Sequence, residues 1–147
     1  PYVELNTEYY DLGLVHRVET KDAITEREAD DTKWMNIMIK TSDDSSAGIF
    51  GYEYFINREI SGNTTSVQRY NGSDYVDVGT GDVYVSGNVM QVRVRLSDLG
   101  LNVNNYSIEF KVTDNIRRVN DVLSYYSTGD SAPIGRMGYV FGYEEEE

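Results

Sequence analysis

Two stretches of this chain leave little choice of secondary structure. In NVMQVRVRL, Met90, Val92, Val94 and Leu96 alternate with Gln91, Arg93 and Arg95. In YSIEFKV, Tyr106, Ile108, Phe110 and Val112 alternate with Ser107, Glu109 and Lys111. A period of two sends alternate side chains to opposite faces, so each stretch is a strand with one face in a core. Three weaker segments follow the same rule. WMNIMIK groups Met35, Ile37 and Ile39; FGYEYFIN groups Phe50, Tyr52, Tyr54 and Ile56; YDLGLVHRV groups Tyr10, Leu12, Leu14, His16 and Val18.

Turn chemistry separates these runs. Asn71-Gly72 stands between TSVQRY and DYVDVG, a strong hairpin signal, and Ser86-Gly87-Asn88 links DVYV to VMQVRVRL. Gly79 and Gly81 read as a further break. Helical pattern is limited to a short turn at Ser97–Leu99, with Ser97 as its cap and Gly100 as its stop, and a possible turn in AITEREADD. The expected fold is therefore all-β: an antiparallel sandwich of the jelly-roll or immunoglobulin-like kind, with at most one or two short helical turns.

A length of 147 residues fits one domain. We read residues 1–143 as a single β-sandwich module, with its first strands expected upstream of Pro1, and Glu144–Glu147 as an acidic tail. The net charge of -12, from 25 acids and 13 scattered bases, argues against a nucleic-acid partner, because counterion release needs clustered Lys and Arg. No apolar run approaches the roughly 18 residues of a membrane span. The chain has no cysteine, so disulfide and thiol chemistry are excluded.

Catalytic signals are sparse. The single histidine, His16, lies on an apolar strand face, and no G-x-S-x-G elbow, phosphate loop or dinucleotide fingerprint accompanies it. No carboxylate pair is singled out by spacing, and the expectation is a chain without enzymatic activity. Oxygen donors are plentiful, and Asp114, Asn115 and Asp121 after the YSIEFKV strand are candidate ligands for a structural calcium ion. Thirteen tyrosines accompany one tryptophan and four phenylalanines. Their apolar rings and polar tips suit both sheet packing and sugar stacking. Trp34, read as lying opposite Met35, Ile37 and Ile39, is the first candidate for a glycan platform; Tyr125 and Tyr126, on opposite faces of their strand, are the next, one expected in the core and the other exposed.

The run from RVETKDAIT through WMNIMIKTSDD, FGYEYFINR and TSVQRYNGSDY to DVLSYYSTGDSAPIGRMGYVF resembles a β-sandwich module of the family-9 carbohydrate-binding type, related in fold to DOMON domains. The resemblance covers Val15 to Tyr143 and is most specific from Tyr106 onward. It implies a non-catalytic carbohydrate-binding or accessory module of a larger extracellular or cell-surface bacterial protein, with a polysaccharide or surface glycan as partner. Sugar-binding members of that family sandwich the sugar between two tryptophans, and this chain has one. In Gly129–Arg136, Asp130 and Arg136 are read as a structural ion pair across a Pro133–Gly135 turn, followed by a closing strand at Tyr139, Phe141 and Tyr143 that pairs near the chain start. The rival readings are a structural spacer or adhesion domain, a small glycan-active enzyme, and a haem-binding relative using His16 with Met35, Met38, Met90 or Met137.

Overall fold

The computed structural model describes residues 2–6, 13–20, 22–41, 48–101, 105–114, 130–132 and 138–144. Ten strands form one antiparallel sheet. They are β1 (Tyr2–Asn6), β2 (Gly13–Glu19), β3 (Asn36–Lys40), β4 (Tyr54–Ser61), β5 (Thr64–Tyr70), β6 (Tyr75–Ser86), β7 (Val89–Arg95), β8 (Asn105–Asp114), β9 (Asp130–Ala132) and β10 (Tyr139–Glu144). The order across the sheet is β1-β2-β7-β6-β5-β4-β3-β8-β10, with β9 also on β8. Strands β3 to β7 are a meander, flanked by β2 on one side and β8 on the other.

The sheet is strongly curled. In a flat sheet β2 and β8 would be six strand spacings apart, roughly 29 Å at about 4.8 Å each. Yet the His16 ring of β2 meets the Phe110 ring of β8 edge-on, with centroids 5.2 Å apart. The two flanks thus face one another across a core, as two sandwich layers joined along one side. Leu14, Val18, Ile37, Ile39, Ile56, Val67, Met90, Val92, Val94, Ile108, Phe110 and Val112 fill it. These are the alternating positions of the sequence. Pairs such as Leu14↔Val94 and His16↔Val92 keep equivalent faces in register.

Two positions break the alternation. Met35 (φ 43°) and Asn57 (φ 71°) both adopt the left-handed conformation. The Asn57 side chain donates through Nδ2 to the Met35 carbonyl at 2.8 Å, and Asn36 Nδ2 donates to the Asn57 carbonyl at 3.2 Å. The Asn57 amide donates to Thr65 Oγ1 at 2.9 Å, while Asp114 Oδ1 accepts from the Met35 amide at 3.1 Å. Asn36, Asn57 and Thr65 are all buried, so this knot satisfies backbone groups that the irregularities would strand in the core. The β4–β5 register shifts between Ile56 and Ile60 at the same place.

The turn at Met35 corrects the face expected for Trp34. Strict alternation would set it opposite Met35, Ile37 and Ile39, whereas the left-handed residue rotates the chain and all four pack into one core. The reading of FGYEYFIN as one strand changes too. Phe50 (φ 53°) and Gly51 (φ 83°) form a tight turn closed by the Tyr52 amide on the Ile49 carbonyl, 2.9 Å. Tyr52 therefore joins Met38 and Phe55 in a second cluster, on the outer face of β3 and β4, away from Tyr54 and Ile56. Tyr75 fastens that cluster, its hydroxyl donating to the Tyr52 carbonyl at 2.7 Å and accepting from the Ile49 amide at 2.9 Å.

Gly79 and Gly81 do not end a strand, since β6 runs through both with a bulge opposite Val67–Gln68. A side chain at Gly79 would collide with the Asp98 carboxylate of the 3-10 turn Ser97–Leu99. That turn forms as expected and stops at left-handed Gly100, but Ser97 makes no side-chain cap. The closing strand exists as β10, yet it pairs with β8 (Tyr139↔Phe110) and not with the chain start. β9 lies on the same edge (Ala132↔Val112), so β9 and β10 are two parts of one interrupted edge strand.

The buried amide knot sets the first test. Asn57→Ala loses the bond to Met35 and strains a left-handed site, for a combined cost of about 2–4 kcal/mol in urea unfolding. Asn57→Gly loses the bond without the strain and is expected to be about 1 kcal/mol less damaging. Equal losses would show that the backbone at Asn57 carries no strain.

Candidate functional site

The segment from Thr20 to Met35 links flanks on opposite sides of the meander and crosses the open end of the curled sheet. It is held at both sides. The Thr20 amide donates to the Asn88 carbonyl at 2.8 Å, and the Ile24 amide to the Gly87 carbonyl at 2.9 Å. Asn88 Nδ2 returns a bond to the Thr20 carbonyl at 2.8 Å. Further along, Trp34 Nε1 donates to the Thr25 carbonyl at 2.9 Å, and Arg27 Nη2 to the Arg58 carbonyl at 3.3 Å.

Trp34 is thus a wall residue, only 6% exposed, with its one polar atom committed. It is not an open platform. It borders a groove of about 530 Å³ at the mouth of the core, together with Ile24, Ile60, Val83 and Val85 and the polar residues Thr25, Glu26, Arg27 and Asn63. That volume is in the range of small-molecule sites.

The aromatic exposed on a sheet face is a residue the sequence reading passed over. Tyr84 is 58% exposed on the outer face of β6. Register places Gln91 of β7 directly beside it, and Arg17 of β2 beside Gln91. The next row outward holds Asp82, Arg93 and Val15. This is the outer face of the sheet, with an aromatic ring bordered by amide, guanidinium and carboxylate groups. The only other aromatic with comparable exposure among the described residues is Tyr139 at 38%. The signal was in the sequence: DVYV alternates, and Val83 inward requires Tyr84 outward.

Of the remaining predicted residues, Asp114 sits at the end of β8 with Oδ1 bound to the Met35 amide. Asn115, Asp121, Tyr125, Tyr126 and Arg136 lie outside the described residues, and Asp130 is placed only as the first position of β9. Among the described residues no three His, Cys, Asp or Glu side chains converge on a point that could hold a metal.

His16 is buried in the core against Phe110, and neither ring nitrogen has a hydrogen-bond partner. Burial lowers its pKa to about 4. It borders no groove lined by Trp34, nor does any methionine. Lys111, fully buried on the outer face of β8 across from Met38, is lowered to about 8 by desolvation, against the opposing effect of Glu109.

Comparison with known proteins yields only local likenesses. No family model matches the chain, and no solved structure matches it. A cytosolic isocitrate dehydrogenase (NADP) of Arabidopsis thaliana is 44% identical over 55 residues, which is 35% of this chain and 13% of that enzyme. A chloroplastic isocitrate dehydrogenase (NADP) of Medicago sativa is 42% identical over 55 residues, with the same coverage. The chain therefore spans 13% of the length of the curated relatives it matches.

Histidine burial makes stability depend on pH. With a folded pKa of about 4 against 6.5 unfolded, the folded state binds fewer protons in that interval. Stability is complete above pH 6.5 and declines as pH falls toward 4, by about 3 kcal/mol in all. Denaturant unfolding of the wild type and His16→Leu across this window checks it: the variant is expected to lose that part of the slope, and parallel curves would refute it.

Proposed function

We propose that this chain is a non-catalytic carbohydrate-binding accessory module of a larger extracellular bacterial protein, and that the glycan lies on the outer face of β6, β7 and β2. Tyr84 is the observation that carries the reading. An exposed ring on the outer face of the sheet offers a stacking surface for the C–H face of a sugar, and its hydroxyl and the neighbouring Gln91 offer hydrogen bonds to sugar hydroxyls. The resemblance to family-9 carbohydrate-binding modules supports the same reading. A calcium ion held by Asp114, Asn115 and Asp121 would act on the loop after β8 and not on the glycan.

A structural spacer is the second reading, favoured by the burial of Trp34, the side chain from which a sugar platform was first expected.

Native gels containing soluble polysaccharides, run with calcium and again with EDTA, separate the two. The expected result is retardation by at least one glycan, weakened about tenfold or more by Tyr84→Ala, with stability altered by no more than about 0.5 kcal/mol. Loss of retardation in EDTA would place calcium in the supporting structure. Absence of retardation by every glycan would leave the spacer.

A further inference from the structure

We infer that the groove at the mouth of the core is a separate binding site for a small amphipathic anion, with an apolar body against Trp34 and a carboxylate on Arg27. The walls supply the apolar half. Ile24, Ile60, Val83 and Val85 line the groove beside the Trp34 ring. Such a lining, around one fixed cation, matches a short-chain or aromatic carboxylate better than a sugar, whose hydroxyls would face aliphatic carbons.

Arg27 supplies the polar half. The chain carries 25 acidic residues against 13 basic ones, so a guanidinium has acidic neighbours in plenty to choose from. Arg27 nevertheless forms no ion pair among the described residues. Its one hydrogen bond runs from Nη2 to the Arg58 carbonyl, a neutral acceptor that fixes the orientation of the fork. Nε is buried with no acceptor at all. A carboxylate entering the groove meets a half-buried guanidinium that has no counter-ion among the described residues, and the planar fork suits two parallel bonds to it. Glu26, which also borders the groove, opposes an anion, but it is exposed to solvent, where water and salt screen its charge.

The site is preorganised. The strap that carries Arg27 is bonded to the β6–β7 turn, to Trp34 and to β4, so its groove face is set before a ligand arrives.

Trp34 is the only tryptophan and borders the groove, so its emission reports on that site without signal from a second indole. Octanoate titrated into the intact chain is expected to shift the emission saturably, with octanol at least about tenfold weaker. Arg27→Gln should bring octanoate down to the level of octanol, while Arg27→Lys should keep a part of the preference. Circular dichroism of each variant shows whether it is folded, and a Tyr84→Ala chain should titrate like the wild type. Equal response to octanoate and octanol, or an octanoate preference that survives in folded Arg27→Gln, would overturn the assignment. So would an emission unchanged by both ligands.

Discussion

The bond from the Asn57 side chain to the Met35 carbonyl is the point on which this architecture turns. It joins two left-handed residues, one just before β3 and one within β4, and so stabilises both departures from regular strand geometry at once. Because Met35 is left-handed, Trp34 enters the core beside it. Because Trp34 is fixed there, its indole N–H holds the Thr25 carbonyl, and the crossing strap is tied down in its middle. The groove follows from that tie. A single buried amide thus determines a backbone turn, a core residue and the wall of a cavity. The arrangement is costly to lose, since an unpaired amide or carbonyl at this depth has no water to turn to.

The outer face of the sheet is divided by a second constraint. Over β3 and β4, the segment 48–53 folds back and buries Met38, Phe55 and Tyr52, with Tyr75 bonded to its backbone. Arg58 lies over both the Phe55 and Tyr75 rings, at 5.3 and 5.7 Å, and shields the cluster's edge. β3 and the first half of β4 are therefore buried on both faces, in keeping with the consecutive apolar residues Ile37, Met38 and Ile39. Over β6, β7 and β2 no such cover is present among the described residues, and Tyr84, Gln91 and Asp82 are exposed. The position of the exposed polar face is thus set by where the covering segment stops.

What the sequence made legible follows from this division. β7 and β8 each keep one face in the core, and their inward residues are those the alternation named, although β8 also buries Lys111 and Thr113 on its other face. β4 was half legible: Tyr54 and Ile56 point inward as expected, but the turn at Phe50–Gly51 breaks the pattern that seemed to extend through Tyr52. The sequence carries no mark of it beyond one glycine. Asn57 had a fairer signal, because asparagine tolerates the left-handed region better than most residues. Met35 had none, since its conformation is imposed by a partner on another strand. Trp34 was misplaced for the same reason: residue type pointed to it as a platform, and the tertiary turn at Met35 takes it off the surface, whereas the outward position of Tyr84 follows from the alternation of its own strand and was passed over.

That alternation also keeps the two candidate surfaces apart. Val83 and Val85 of β6 border the groove, while Tyr84 between them stands on the outer face beside Gln91. The strand itself is the partition. Its backbone is bonded to β7 through Val83↔Val92, Tyr84↔Gln91 and Val85↔Met90, while the β5 ladder ends just before this stretch at Thr64↔Asp82. One strand with a period of two is enough to give a small sheet two chemically different faces.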